Sequence, residues 1–175
     1  MLWIALTIAA APLQVARNAL QRGLMAEAGP WGATLVRFLF GLPFALAIFA
    51  VVAVLTPAAD PTATPRFWVT VSAGALGQVL ATAALLGAMK RSGFAVATFM
   101  QQASLPLAAL MGLALFGDEM GLQAWAGVVL TTAGLAALSW PGRVASREAL
   151  VGSALGLASG AAFAVALNGY RQAGL

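Results

Sequence analysis

Long apolar runs separated by short polar breaks dominate the chain. Uncharged runs extend from Phe38 to Ala59, Phe67 to Met89, Ser92 to Gly117, Met120 to Gly142 and Ala149 to Tyr170, and a further apolar run, Met1 to Ala16, opens the sequence. Each is near the ~20 residues that a helix needs to cross a hydrocarbon core about 30 Å thick. Strand-sized segments of alternating polarity are absent, and in lipid only helices and closed barrels satisfy the backbone. The pattern predicts an all-α integral membrane protein with six transmembrane helices. The opening run lacks the basic start of a secretory leader, so it is read as the first span, ending near Leu20.

Turn signals fall between these runs. Gly29-Pro30, Ser92-Gly93 and Pro141-Gly142 each mark a turn, and TPAADPTATPR, with three prolines, makes an extended link between spans two and three. No loop is long enough to fold alone, which places function inside the helical bundle or at its rims.

Composition narrows the class further. Hydrophobic residues make up 62% and charged residues 8%, against roughly 45–50% and about 25% in soluble domains. The net charge of +4 is spread over the loops rather than gathered on a soluble face, so no nucleic-acid surface is expected. Arg22, Lys90, Arg91, Arg143 and Arg147 follow spans one, three and five, whereas Arg66 follows span two and Asp118 and Glu119 follow span four. The positive-inside rule then makes the odd-numbered loops cytoplasmic. There is no cysteine and no histidine, and the five carboxylates (Glu27, Asp60, Asp118, Glu119 and Glu148) all lie in or beside loops. Paired-acid, triad and His/Cys metal chemistry therefore lack parts; no enzyme, metal or cofactor is expected.

A sparse polar set remains inside the spans. Gln14, Arg17, Asn18 and Gln21 form one stripe near the end of span one, after Pro12, which can bend the helix. Either Arg17 snorkels to the interface while the amides join neighbouring helices, or the stripe lines a polar cavity. Arg37 lies about two turns into span two. Gln78 sits mid-span, sharing a helix side with Gly74, Gly77, Ala81 and Thr82; it is either packing glue or a ligand contact. Gln101 and Gln102 diverge by ~100° around their helix, so one is expected inside and the other against a neighbour. Pro106 cannot donate to the Gln102 carbonyl, and a freed carbonyl there is expected to add a polar group beside the amides. The candidate substrate-binding residues are accordingly Gln14, Arg17, Arg37, Gln78, Gln101 and Gln102. Gly152, Gly156 and Gly160 form a small-xxx-small series suited to self-association.

The run AVATFMQQASLPLAALMGLALFGDEMGLQAWAGVVLTTAGLAAL resembles the fourth and fifth helices of an EamA-type repeat of the drug/metabolite transporter superfamily. The likeness rests on Pro106 midway along the fourth helix, Gly117 and Glu119 at its end, Gly127 and Gly134 in the fifth, and Arg37 in the second. A 150-residue offset also matches Ala11, Val15, Ala16 and Asn18 with Ala161, Val165, Ala166 and Asn168. The resemblance implies five-helix repeats in inverted pairs, ten helices in all. Residues 1–141 would be the first repeat and residues 148–175 the incomplete start of the second. It further implies a permease of the cell membrane that exports small metabolites or drugs by alternating access, with a small-molecule substrate and the bilayer as partners. The glutamate that small multidrug-resistance relatives carry in their first helix has no counterpart in span one. The competing reading is a non-transporting half-length membrane protein or assembly subunit.

Overall fold

A computed structural model describes residues 2–56, 64–139 and 146–174. Asp60 with Pro57 and Pro61 of the second link, and Pro141-Gly142 with Arg143, lie outside the described residues. The described residues form α1 (Leu2–Leu55), α2 (Pro65–Ser92), α3 (Phe94–Gln101), α4 (Ser104–Phe116), α5 (Leu122–Ser139) and α6 (Arg147–Ala173), with no strand among them. They divide into two compact units, Met1–Val52 and Ala53–Leu175.

Four helical stretches are long and apolar enough to span a membrane: Ile8–Leu55, Pro65–Ser92, Phe94–Phe116 and Arg147–Ala173. Leu122–Ala137 is apolar but shorter. This differs from six separate spans chiefly at the start of the chain. Gly29-Pro30 was expected as a turn, but the helical backbone continues on both sides and only Gly29 departs from it, at φ 66° and ψ 176°. Only glycine adopts that conformation cheaply, and Pro30 suits the first position of the helix that resumes. At 1.5 Å per residue the 48 residues of Ile8–Leu55 extend about 72 Å, more than twice a hydrocarbon core. Pro12 and Pro43 lie within α1 without interrupting it.

Other boundaries follow local chemistry. Thr64 caps α2, its hydroxyl accepting from the Phe67 N–H at 3.2 Å, with Pro65 opening the helix. Ser146 caps α6 in the same way through the Ala149 N–H, also at 3.2 Å. Glu148 in the first turn of α6 and Arg171 in its last complement the helix dipole. The Ser92-Gly93 turn forms as expected, with Gly93 at φ 84°.

Burial is inverted relative to a water-soluble protein. Phe44, Ile48 and Phe49 of α1 and Trp68, Val69 and Leu76 of α2 are exposed, whereas Thr82, Ser159 and Ala81 are fully enclosed. Large apolar side chains on the outside are stable when lipid covers them, and small residues inside let backbones approach. The core of the second unit is α6, lying between α2 on one side and α3–α4 on the other. It runs antiparallel to α2: Gly152 meets Ser92, Gly77 meets the Ala162 carbonyl, and Gly169 meets Thr70 and Gly74.

The glycine series was expected to serve self-association. Gly152, Gly156 and Gly160 are instead buried within the chain, against Ser92, Met100 and the Gln101 backbone. The small-xxx-small pattern specifies close approach of a backbone, and here the partner is intramolecular.

This packing leaves little room for side chains at its seam. A Cβ at Gly77 would lie 2.9 Å from the Ala162 carbonyl oxygen, whereas one at Gly134 in α5 would meet nothing within 4 Å. Gly77→Ala should therefore cost about 1–3 kcal/mol through overpacking, seen as a lowered thermal midpoint in detergent. Gly134→Ala should be neutral or stabilising, by up to about 1 kcal/mol, from helix propensity.

Candidate functional site

The feature in the second unit that combines polar groups with irregular backbone is the break between α3 and α4. Pro106 has no N–H, and its ring crowds the carbonyl four residues back. The chain tightens ahead of it into three-residue turns: Gln102 N–H donates to Phe99 O at 2.9 Å, Ala103 N–H to Met100 O at 3.2 Å and Leu105 N–H to Gln102 O at 3.1 Å. The expectation of a freed Gln102 carbonyl is thus corrected, because Leu105 occupies it. Pro106 itself falls in the first turn of α4, where a missing N–H costs nothing.

Gly160 of α6 seats directly on this break. A Cβ there would lie 3.0 Å from the Gln101 carbonyl oxygen and 3.1 Å from the Ser104 nitrogen. Of the paired amides, Gln101 is buried at 6% exposure and Gln102 is exposed. One turn before Gln101, the Thr98 hydroxyl is buried with no hydrogen-bond partner. Gln78 is half-buried on the α2 face that carries Gly74, Gly77 and Ala81, and its carbonyl accepts from the Thr82 hydroxyl at 2.8 Å.

Polar side chains then fasten α6 on both flanks. The Ser159 hydroxyl donates to Ala81 O at 2.7 Å, and Asn168 Nδ2 donates to Ala108 O at 3.1 Å and to Ala164 O at 3.0 Å. At one rim Arg66 donates to Gln172, and both terminal nitrogens of Arg171 donate to the Asp118 carboxylate. Asp118 reaches that position because Gly117 takes a left-handed conformation, φ 67°, and the Asp118 N–H returns to Gly112 O at 3.2 Å. These contacts were not among the sequence candidates. Asn168 alone carried a signal, its match to Asn18 at the 150-residue offset; both asparagines are buried.

Three candidates lie in the first unit. Gln14 and Arg17 are exposed, Arg17 donating to Asn18 Oδ1 at 3.4 Å, and Arg37 is half-buried with its guanidinium 5.2 Å from the Phe38 ring centre.

The sequence matches the EamA-like transporter family over residues 1–140. The chain belongs to that family. Searches of curated proteins and of solved structures gave no match. As an EamA-like protein it is a multi-pass membrane protein of a transporter family, and small molecules and lipid are its partners. Among the described residues of this EamA-like chain, no group of three or more His, Cys, Asp or Glu side chains could hold a metal ion.

The rim contact has a pH consequence. Its hydrogen bonds from Arg171 hold the Asp118 carboxyl below the usual carboxylate range. A depressed carboxyl pKa contributes stability above the ordinary value, near 4, and loses it only as pH falls through the lowered one. Hydrogen exchange of residues 168–174 should thus be the same at pH 7 and pH 5 after correction for intrinsic rates. Asp118→Asn should speed that exchange severalfold at either pH, as expected when a charge-assisted hydrogen bond is lost. Glu119→Gln, exposed next door, should not.

Proposed function

We propose that this EamA-like protein is a permease that exports small metabolites or drugs across the cell membrane by alternating access. The family match over residues 1–140 carries the proposal. It is supported by the α3–α4 break, since helices interrupted at mid-membrane are where transporters place binding groups. The six-span plan is retained with α1 counted as two spans meeting at Gly29, each of about 26 residues and about 39 Å.

The substrate-contacting residues are Gln14, Arg17 and Arg37 in the first unit and Gln78, Gln101 and Gln102 in the second. Amides and guanidiniums in apolar helices are costly unless they meet water, a partner or a ligand. Orientation follows charge. Lys90, Arg91 and Arg147 outnumber Glu148 at one end of the α2–α6 pair, whereas Arg66, Arg171, Asp118 and Glu119 lie at the other and cancel. The basic end is cytoplasmic. Self-association through Gly152, Gly156 and Gly160 is not part of the proposal, because that face is occupied within the chain.

The lack of cysteine makes single-cysteine variants direct reporters. In sealed cells, cysteines at Gln14, Gln78 and Gln102 should react with a small charged thiol reagent, and one at the exposed Leu76 of the same α2 should not. A cysteine at Lys90 should be labelled only after permeabilisation. Expression should lower accumulation of a labelled drug or metabolite from a panel of amino acids, nucleosides and amphipathic drugs, and Gln78→Leu should abolish this at unchanged membrane level. Equal reactivity of Gln78 and Leu76 positions would overturn the assignment of Gln78.

A further inference from the structure

Hydroxyls in the second unit follow one habit. Thr70, Thr82, Ser92 and Thr132 each donate to the carbonyl four residues earlier in their own helix, at 2.7–3.0 Å, and Ser159 donates across the seam to Ala81 O. A helical threonine always has this local acceptor within reach, so its hydroxyl need not stay unpaired. Thr98 departs from the habit. Phe94, the first residue of α3, stands four residues before it, yet the Thr98 hydroxyl oxygen is buried and makes no hydrogen bond. A buried donor left unmade is destabilising, and a valine of nearly the same shape would avoid the penalty. Retaining the hydroxyl therefore calls for a reason outside the packing of the unit.

Its place supplies one. Thr98, Gln101 and Ser104 succeed one another at three-residue intervals across the α3–α4 break, where the three-residue turns bring positions three apart toward one line. Gln101 and Ser104 are each 6% exposed. The charged side chains among the described residues of this unit lie in terminal turns or beyond helix ends, with none between Arg66 and Lys90, Arg91 and Asp118, or Glu148 and Arg171. A carboxylate or phosphate entering at the break would lose its water with no counter-charge on these stretches of helix. An uncharged oxygen needs only the donor that Thr98 holds.

We propose that the Thr98 hydroxyl and the Gln101 amide bind an uncharged oxygen-bearing group of the transported solute, a carbonyl or a hydroxyl, and that Thr98 selects for it. The inference deepens the permease reading and rests on it for the word transported; the site itself rests on the unpaired hydroxyl beside the break. The Thr98 O–H donates to the solute oxygen. Gln101, one turn on, carries both an N–H donor and a carbonyl acceptor, so a solute hydroxyl is answered in both senses. A solute without that oxygen leaves the Thr98 donor unpaired, which is how uncharged polar contacts discriminate.

The near-isosteric change Thr98→Val separates function from folding. In the purified full chain it should leave the thermal midpoint unchanged or raise it, because it removes a buried unpaired donor. Proteoliposomes are assayed for uptake of radiolabelled uridine, glucose and acetamide, which are uncharged, and of succinate and choline, which are not. Saturable flux of at least one uncharged probe is expected, lowered about tenfold or more in Thr98→Val and largely kept in Thr98→Ser, which retains the hydroxyl. Thr132→Val, which removes an exposed hydroxyl of α5, should leave flux unchanged. Equilibrium binding of the same probes to protein in nanodiscs is read in parallel. Binding of an uncharged probe that Thr98→Val abolishes, by a wild type that moves nothing, would refute the permease and leave the site standing. Flux indifferent to Thr98→Val, or confined to succinate or choline, would refute the site and leave the permease. A lowered midpoint in Thr98→Val, with binding and flux falling only as folded protein is lost, would make the hydroxyl a structural, water-bonded group and overturn the proposal. Binding of no uncharged probe would overturn it as well.

Discussion

The second unit depends on how closely α6 approaches the interrupted α3–α4 helix. Gly160 places bare backbone against the Gln101 carbonyl and the Ser104 nitrogen, the last residue of α3 and the first of α4 on either side of the break. Lipid gives no hydrophobic reward for helix association, so contact distance and polar satisfaction decide it. A side chain at position 160 would separate the helices, and the hydrogen bond from Asn168 to Ala108 O of α4, which needs the same spacing, would go with it.

From this approach the remaining contacts follow in order. Gly156 against Met100 and Gly152 against Ser92 extend the seam toward the basic rim, and Ala162, Ala166 and Gly169 against Gly77 and Gly74 bring α2 onto the other flank. The far end is closed by charged and amide side chains, Arg171 on Asp118 and Arg66 on Gln172. Packing of this kind couples three helices through one. Movement of α6 relative to α3–α4 would have to release the contact of Arg171 with Asp118 and slide along a seam lined with glycine and alanine, which offers few interlocking side chains to resist it.

Much of this was legible in the sequence. Run length gave the membrane class; Gln101, Gln102 and Pro106 located the interrupted helix; and Gly117 with Asp118 marked its end. The break falls at Gln102 and Ala103, ahead of Pro106, because a proline disturbs the carbonyl four residues earlier and the tightened turns absorb the strain there. The same turns explain why the Gln102 carbonyl is occupied, a detail of geometry that spacing does not carry. The glycine series showed that a backbone would approach, but not whose, since small-residue motifs specify distance without naming a partner. Asp118 and Arg66 read as loop charges, and only the return of α6 beside the end of α4 and the start of α2 gives them their partners, Arg171 and Gln172. Gly29 announced an interruption, yet its size, one residue and not a loop, depends on Pro30 restarting the helix at once. Arg17 and Arg37 stood out as intramembrane charges, whereas Thr98 was one more helical hydroxyl until its burial without a partner was known.

Cross-linking tests the central packing claim most directly. Position 156 faces Met100, a Cβ there lying 2.7 Å from the Met100 Cβ, while Leu157 is exposed one residue on. In the cysteine-free chain, Met100→Cys combined with Gly156→Cys should form a disulfide rapidly under mild oxidation in membranes, after the small outward shift its geometry requires. Met100→Cys with Leu157→Cys should stay reduced. Closure of the Leu157 pair in preference to the Gly156 pair would show that α6 presents a different face to the broken helix, contradicting the arrangement described here.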